Sequence, residues 1–530
     1  MARLLHSRIF FWSLLLLITL LAFAIRSYRI DSIPAGLYPD EAMNGIDAIE
    51  ANESGHYKLF YPNNFGREGL FINLQAFSLQ MFGINIPALK LWSGIFGSLA
   101  VLGVGLLSWE LFRSRSAALL SAFILATSFW AINFSRIGFR AIMVPFLLSF
   151  AFYFFFRGLR KGTFLPFILS GVFVGLGLHT YIAFRLAPFI FILLLPFLVL
   201  SYEHFWRRFW KQALVFILSA GLAASPMIFL FVTHPDILSS RSASISIFSP
   251  EVNGGNLPKT LAETIGLSLI KYNFVGDQNW RHNYPPYPVL DPLVGTFFLA
   301  GFIFSLGMLI RLLGSRLRTK RHDVELPVHA LLFLGFFVML APEFLTNEGL
   351  PHALRSIGTQ PFVFLFATIP LLFLLRRFRR AKGGEKLVFG AFLLLVLGGS
   401  ALWNITKYFV LFAERPEQHA SFEARTTNMA RYLLTLPPNI HKYVLPDWQG
   451  REGVIPLGAQ PLAFLVHGKL ENFAFLTPDM EIRRPAVIIP MQYDEQVLKD
   501  FQSRIPEAYP LTIDIRPGYG TSFTAIYIPE

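Results

Sequence analysis

Cysteine is absent from the 530-residue chain, which excludes disulfides, a thiol nucleophile and a thiolate metal site and leaves the redox compartment unread. Charge is scarce as well: Asp, Glu, Lys and Arg make up 15% of the residues, against 54% hydrophobic and 16% aromatic, with 57 Phe. A mean hydropathy of +0.51 is too apolar for an ordinary soluble domain and fits an integral membrane protein with many spans. There is no P-loop, dinucleotide fingerprint, HExxH or GxSxG, so coupling to nucleotide hydrolysis on this chain is not expected. No internal repeat or low-complexity linker stands out.

What the chain does have is a series of apolar runs, at roughly 9–27, 86–111, 116–134, 141–156, 163–182, 186–202, 212–232, 291–310, 326–344, 357–375 and 386–412, or about eleven helices. The net charge of +13 comes from Lys and Arg in short clusters between these runs rather than along one polar face, so it reads as membrane topology and not as nucleic-acid binding. Arg3 and Arg8 precede the first run, and Arg113/Arg115, Arg157/Arg160/Lys161, Arg207/Arg208/Lys211 and the basic stretches 311–321 and 376–386 follow the even-numbered ones. Alternating spans put all of these on one side, read as cytoplasmic. The loops at about 28–85, 233–290 and 345–357 and the tail then face outward, which predicts a multi-pass protein of the inner or plasma membrane with a cytoplasmic N-terminus.

MARLLHSR and the apolar stretch through Ala22-Phe23-Ala24 also resemble a secretory signal with a small-residue cleavage site, but the run is longer than a usual signal core, which favours a retained helix. After about residue 412 the composition shifts toward Pro, Asp and Glu, and apolar segments at 486–490 and 523–528 flank a helical spacing at 494–504. That order predicts a small α/β domain over 413–530 beside a membrane domain over 1–412, with an amphipathic helix at 425–436 leading into it.

Charges at the membrane edge that break the orientation pattern are the candidates for chemistry. YPDEAMNGIDA, residues 38–48, sets Asp40 and Glu41 behind Pro39; this is a helix start by composition and also a carboxylate pair able to act as a general base. Arg136 and Arg140 in NFSRIGFRAIMVP and Arg185 in HTYIAFRLAP sit in outer turns, where forked guanidinium donors suit phosphate oxygens, although snorkelling to lipid headgroups would also account for each. GDQNWRHNYPPYPVLDP holds Arg281, His282 and Asn283 in a rigid Pro-rich setting. PEFLTNEGLPHALRSIG holds His352 and Arg355, three apart and so on one face if helical. His179 and Tyr181 end a span whose Gly171, Gly175 and Gly177 read as helix-packing positions.

An N-terminal helix followed by YPDEAMNGIDA, FGREGLF, SRIGFRAIMVP, HTYIAFRLAP, RHNYPPYP and LPHALRSIG resembles, in this order, the bacterial glycosyltransferase family 39 group. These are membrane enzymes of the GT-C fold, related to protein O-mannosyltransferases and lipid A aminoarabinose transferases. The resemblance implies transfer of a sugar from a polyprenyl-phosphate donor to an outer acceptor (protein, lipid or glycan), with Asp40 as base or acceptor-orienting group and Glu41 as its neighbour. The donor phosphate is expected to meet residues drawn from these outer polar groups, Arg67, Arg136, Arg140, His179, Tyr181, Arg185, Arg281, His282, Asn283, His352 and Arg355. By the same resemblance Glu68 maps to a metal-holding carboxylate, and His282 is the second candidate for a divalent ion. Arg67 precedes this acid instead of following it, and the Pro-Pro of the aminoarabinose branch is missing here, so the metal and the acceptor stay open. A polytopic transporter or lipid flippase is the alternative expectation, disfavoured because the polar groups gather in outer loops rather than at the midplane; a scaffold whose tail binds a partner is a third.

Overall fold

The computed structural model describes residues 7–239, 246–320, 322–446, 455–477 and 480–530; Arg3 and Arg321, named above for orientation, lie outside them. The principal helices are α1 (Arg8–Ser27), α2 (Pro39–Ser54), α3 (Ile86–Phe112), α4 (Arg115–Thr127), α5 (Met143–Lys161), α6 (Phe164–Gly177), α7 (Ala187–Ser201), α8 (Phe205–Thr233), α9 (Pro292–Thr319), α10 (Leu326–Phe344), α11 (Gln360–Arg380) and α12 (Gly383–Thr406), followed by α13 (Ala424–Leu433), α14 (Gln460–Val466) and α15 (Glu495–Arg504). Two compact units result, one of Met1–Tyr28, Leu59–Phe71 and Ser93–Tyr408, the other of Arg29–Lys58, Ile72–Trp92 and Phe409–Glu530.

Among the described residues nine helices are long and apolar enough to cross a membrane, against eleven apolar runs. The run at 116–134 breaks at Ser128, which is extended (φ −68°, ψ 132°) and ends the 13-residue α4. The run at 163–182 stays helical only through the 14 residues of α6. At 1.5 Å per residue each rises only about 20 Å, short of a ~30 Å hydrocarbon layer.

Helix ends follow local chemistry. Asp291 caps α9 by accepting the Leu293 and Val294 N–H groups at 3.1 Å, with Pro292 in the first turn. The other oxygen of Asp291 accepts from Ser400 Oγ (2.8 Å) and Asn404 Nδ2 (2.9 Å) on α12, so one carboxylate starts a helix and fastens its neighbour. α5 ends at Gly162 in the left-handed conformation with Arg160 and Lys161 in its last turn, the basic end that a helix C-terminus favours. The abundant phenylalanines pack on one another: Phe302 meets Phe333 edge to face at 4.8 Å and Phe366 at a tilt at 5.2 Å between ring centroids. Where α6 crosses α8 the helices touch through glycine, since a Cβ on Gly175 would lie 2.4 Å from the Ala220 carbonyl oxygen.

The ends of the long helices sort by charge. Arg113 beyond α3, Arg160 on α5, Arg208 on α8 and Arg376 on α11 line one cavity, so these four clusters share one end of the first unit. α5 and α11 run away from that end side by side, Phe152 against Phe362 at 6.1 Å. Their starts, Arg140 and the turn before Gln360, therefore lie at the opposite end, separated from the basic cavity by about 28 Å of α5.

The second unit differs from the expected division at residue 412, because 29–58 and 72–92 belong with the tail. The cause is long-range packing: Phe464 of α14 lies over Gly45 of α2, and the Leu37 N–H donates to Thr427 Oγ1 at 3.0 Å. Its sheet consists of β3 (His441–Leu445), β4 (Phe473–Phe475), β5 (Ala486–Pro490), β6 (Tyr509–Ile513) and β7 (Phe523–Ile528), β1 and β2 being the two-residue strands Phe60–Tyr61 and Arg67–Glu68 of the first unit. The strand order is β4-β3-β5-β7-β6, parallel from β4 to β5 and antiparallel beyond. Tyr443, Ile488 and Ile526 stack into a core that Val497, Leu498 and Phe501 of α15 cover.

The glycine contact is testable by melting the detergent-solubilised protein. Gly175→Leu overpacks the α6–α8 crossing and should cost about 1–3 kcal/mol, read as a lower Tm. Gly221→Leu, where a Cβ meets nothing within 4 Å, should leave Tm unchanged.

Candidate functional site

The hairpin of β1 and β2 pairs Tyr61 with Arg67 and Phe60 with Glu68, turning through Gly66 at φ 84°, a left-handed conformation that glycine adopts without strain. It presents Glu68 to two arginines of the same unit. Arg140 Nε donates to one carboxylate oxygen at 2.8 Å and Arg185 Nη2 to the other at 3.3 Å. Arg140 lies over the Tyr181 ring at 5.5 Å and Arg185 over Phe231 at 4.7 Å, which fixes both forks against flat apolar faces. Glu68, nearly buried, thus holds two guanidinium groups at the end of the unit opposite the basic cavity. Arg67 is buried and donates through Nε to the Asn63 carbonyl at 3.1 Å.

A second polar cluster lies between the loops on either side of α9 and α10. Asp277 Oδ2 is 2.9 Å from His282 Nδ1 and accepts the Ala353 N–H at 2.7 Å, while Oδ1 accepts the Asn279 N–H at 2.8 Å. The His282 and His352 rings are 4.7 Å apart. The His352 N–H donates to Glu343 at 2.9 Å, and the other Glu343 oxygen is paired with fully buried Lys271. Burial holds His352 well below the usual imidazole range, and the neighbouring His282, Arg355, Arg281 and Lys271 push it the same way, so the neutral ring dominates at pH 7.

Asp277, His282 and His352 bring their potential ligand atoms within 4.8 Å of one another. The donor set fits a divalent ion in part. Asp277 is already engaged by two N–H groups and by His282, so it acts as the carboxylate that orients a histidine, leaving His282 Nε2 and His352 Nε2 as the ligands. Glu68, the other metal candidate, has both oxygens taken by arginines, and the structure groups His282 with Asp277 and His352 instead.

Several candidates have other work. Arg136 donates to the Ile25 and Arg26 carbonyls at 2.9 and 2.8 Å, capping the end of α1 as a basic side chain does at a helix C-terminus. His179 Nε2 is 3.0 Å from the Ala223 carbonyl and ties α6 to α8. Asn283 Nδ2 bridges the Asp277 and Tyr287 carbonyls at 3.1 and 2.7 Å, stapling its own loop. The Arg281 carbonyl accepts from Asn133 Nδ2 at 2.8 Å. His352 and Arg355 stand in turns rather than on a helix, and Arg355 folds onto Glu348 and onto Thr346 Oγ1 at 2.7 Å, so the shared helical face does not form.

In the second unit the carboxylate pair divides. Glu41 is fully buried, accepts the Tyr38 N–H at 3.3 Å at the start of α2 and lies 3.5 Å from Lys90 Nζ. It closes the helix end and neutralises a buried lysine. Asp40, one residue earlier in the same first turn, remains partly exposed.

Asp277, Lys271 and Lys407 escaped the sequence reading. Lys407 sits over Phe129, Tyr287 and Tyr284 at 4.6, 5.1 and 5.8 Å, an aromatic surround assembled from two separate segments. The only local sign of Asp277 was its place five residues before His282 in a turn-rich stretch.

Residues 70–229 match the family described as Dolichyl-phosphate-mannose-protein mannosyltransferase; of the stretches that carry the resemblance above, 133–145 and 179–188 fall wholly inside this match. No curated protein matches the sequence. Among solved structures, ArnT from Cupriavidus metallidurans in the apo state is similar with a TM-score of 0.57 at 12% identity over 98% of each chain. The same protein bound to undecaprenyl phosphate is similar with a TM-score of 0.53 at 12% identity, again over 98% of each chain. Among the described residues the chain thus has nine helices long and apolar enough to cross a membrane, in a GT-C fold like that of ArnT, and its residues 70–229 match the mannosyltransferase family.

Proposed function

We propose that the protein transfers a sugar from a polyprenyl-phosphate donor to a hydroxyl acceptor on the outer side of the membrane. The observation that carries this is the Glu68–Arg140–Arg185 cluster, with two guanidinium groups held at 2.8 and 3.3 Å from one carboxylate and backed by aromatic rings. Glu68 fixes the orientation of both forks without neutralising both charges, so a preorganised positive group awaits the oxygen that gains charge as the donor's phosphate departs. The match of 70–229 to the mannosyltransferase family and the likeness to a protein solved with undecaprenyl phosphate support this donor class. Clustering of Arg113, Arg160, Arg208 and Arg376 at the other end supports a cytoplasmic basic end and an outer reaction site.

The reaction is a displacement at the anomeric carbon. The acceptor hydroxyl gives its proton to Asp40, its oxygen forms the new glycosidic bond, and the bond to phosphate breaks with its electron pair going to the phosphate oxygen. Asp40 is preferred over Glu41 because Glu41 is committed to the Tyr38 N–H and Lys90. A divalent ion, if held by His282 and His352, would add positive charge for the leaving phosphate.

Asp40→Asn should lower transfer about 10²–10⁴-fold with an unchanged Tm, read as consumption of radiolabelled polyprenyl-phosphate sugar and labelling of membrane acceptors; full activity would sink the base assignment. Glu41→Gln should instead cost roughly 3 kcal/mol of stability, read as a lower Tm, because Lys90 loses the buried carboxylate it faces. Arg140→Gln and Arg185→Gln should each cost on the order of 10²-fold in kcat, and movement of unaltered donor across sealed vesicles would indicate a transporter instead. If a metal is used, chelation abolishes transfer and a divalent cation restores it, whereas His282→Ala shows no such restoration; activity indifferent to chelator leaves the Asp277–His282–His352 cluster a loop fastening.

A further inference from the structure

The cavity at the basic end of the first unit measures about 750 Å³, a size that accommodates a substantial part of a small amphiphile. It lies a helix length from the proposed reaction site, and the transfer chemistry gives it no part. Its lining falls into two halves. Toward the helix ends are Arg113, Arg160, Arg208 and Arg376 with Glu110, Glu203 and Glu325; deeper in the bundle are Phe304, Met308, Val328, Ile369, Leu372 and Phe373.

The charges in this cavity are not balanced pair by pair. Glu110 accepts both forks of Arg160, at 2.6 and 2.7 Å, and a third bond from Arg113 at 3.1 Å, so its carboxylate is saturated. Arg208 stacks on Phe209 at 5.0 Å and Arg376 on Phe373 at 6.0 Å. Neither guanidinium has a hydrogen-bond or ion-pair partner among the described residues. Two arginines with open donor forks, at the mouth of a cavity whose floor is phenylalanine, methionine and branched aliphatics, match a molecule with a phosphate at one end and a hydrocarbon chain at the other. Basic pockets between transmembrane helices, at the side where Lys and Arg accumulate, meet a leaflet that carries anionic lipid. Free inorganic phosphate would leave the apolar floor unused, and a zwitterionic lipid would bring its own cation to the arginines.

We propose that this cavity is a binding site for an anionic diacyl phospholipid, its phosphate held by Arg208 and Arg376 and an acyl chain lying along Phe304, Met308 and Phe373. Such a lipid ties together the ends of α5, α7, α8, α10 and α11 against α9, at the end of the first unit away from Arg140 and Arg185.

The test uses the full-length protein in detergent, incubated with equimolar phosphatidylglycerol and phosphatidylethanolamine and read by native mass spectrometry and thermal melting. Wild-type protein should retain phosphatidylglycerol about tenfold over phosphatidylethanolamine and melt higher in its presence. Arg208→Gln/Arg376→Gln should lose both the preference and the shift, whereas Arg208→Lys/Arg376→Lys should keep most of each. Met308→Trp, which fills the apolar half and leaves the charges in place, should lose retention of the lipid. The proposal is overturned by an unchanged preference in the double glutamine variant, by full retention in Met308→Trp, or by displacement of the lipid with millimolar inorganic phosphate, which would make the site a simple anion pocket.

Discussion

A charge inside a low-dielectric helix bundle must find an opposite charge or a set of aligned dipoles, and this one requirement organises both ends of the molecule. Glu110 gathers two arginines at one end and Glu68 gathers two at the other. Glu343 neutralises Lys271, Glu41 neutralises Lys90, and Asp277 is wrapped in N–H donors. With 46 basic residues against 33 acidic ones, the acids cannot cancel every cation. The surplus stays where helices end and a ligand's negative charge can reach it.

The same rule separates framework arginines from reactive ones. Arg136 is satisfied by main-chain carbonyls of α1 and has the rigidity of a helix cap. Arg140 and Arg185 both bond the Glu68 carboxylate, which holds their orientation. A guanidinium held in this way reorganises little when a phosphate oxygen develops charge, and that preorganisation is what electrostatic catalysis draws on. The aromatic faces under Arg140 and Arg185 add flat, weakly polar support that limits competition from water.

How much of this was legible in the sequence depended on the range of the interaction involved. Spans come from local hydropathy, and the helices follow the apolar runs closely. The exceptions, Ser128 and the end of α6 at Gly177, are breaks inside apolar sequence that carry no polar marker. The strand–helix–strand order of the tail was readable from periodicity, whereas the joining of α2 to α14 depends on Phe464 meeting Gly45 more than four hundred residues away. The role of an individual polar side chain was the least accessible: His179, Arg136 and Asn283 look like ligand groups in sequence and are satisfied by distant carbonyls. Asp277 looked like a turn residue and is the hub of a cluster.

The brevity of α6 sets the depth of the reaction site. Its 14 residues rise only about 21 Å from the basic end, and the 15 of α7 return over about 22 Å, while the neighbouring α8 spans about 43 Å with 29. Tyr181 and Arg185 join the two short helices, and Arg185 meets Phe231 in the last turn of α8, so they lie close to the far boundary of a ~30 Å hydrocarbon slab. Hydrophobic mismatch thereby becomes a control on the chemistry: a thicker bilayer would submerge the guanidinium pair in acyl chains, and a thinner one would lift it into the headgroups.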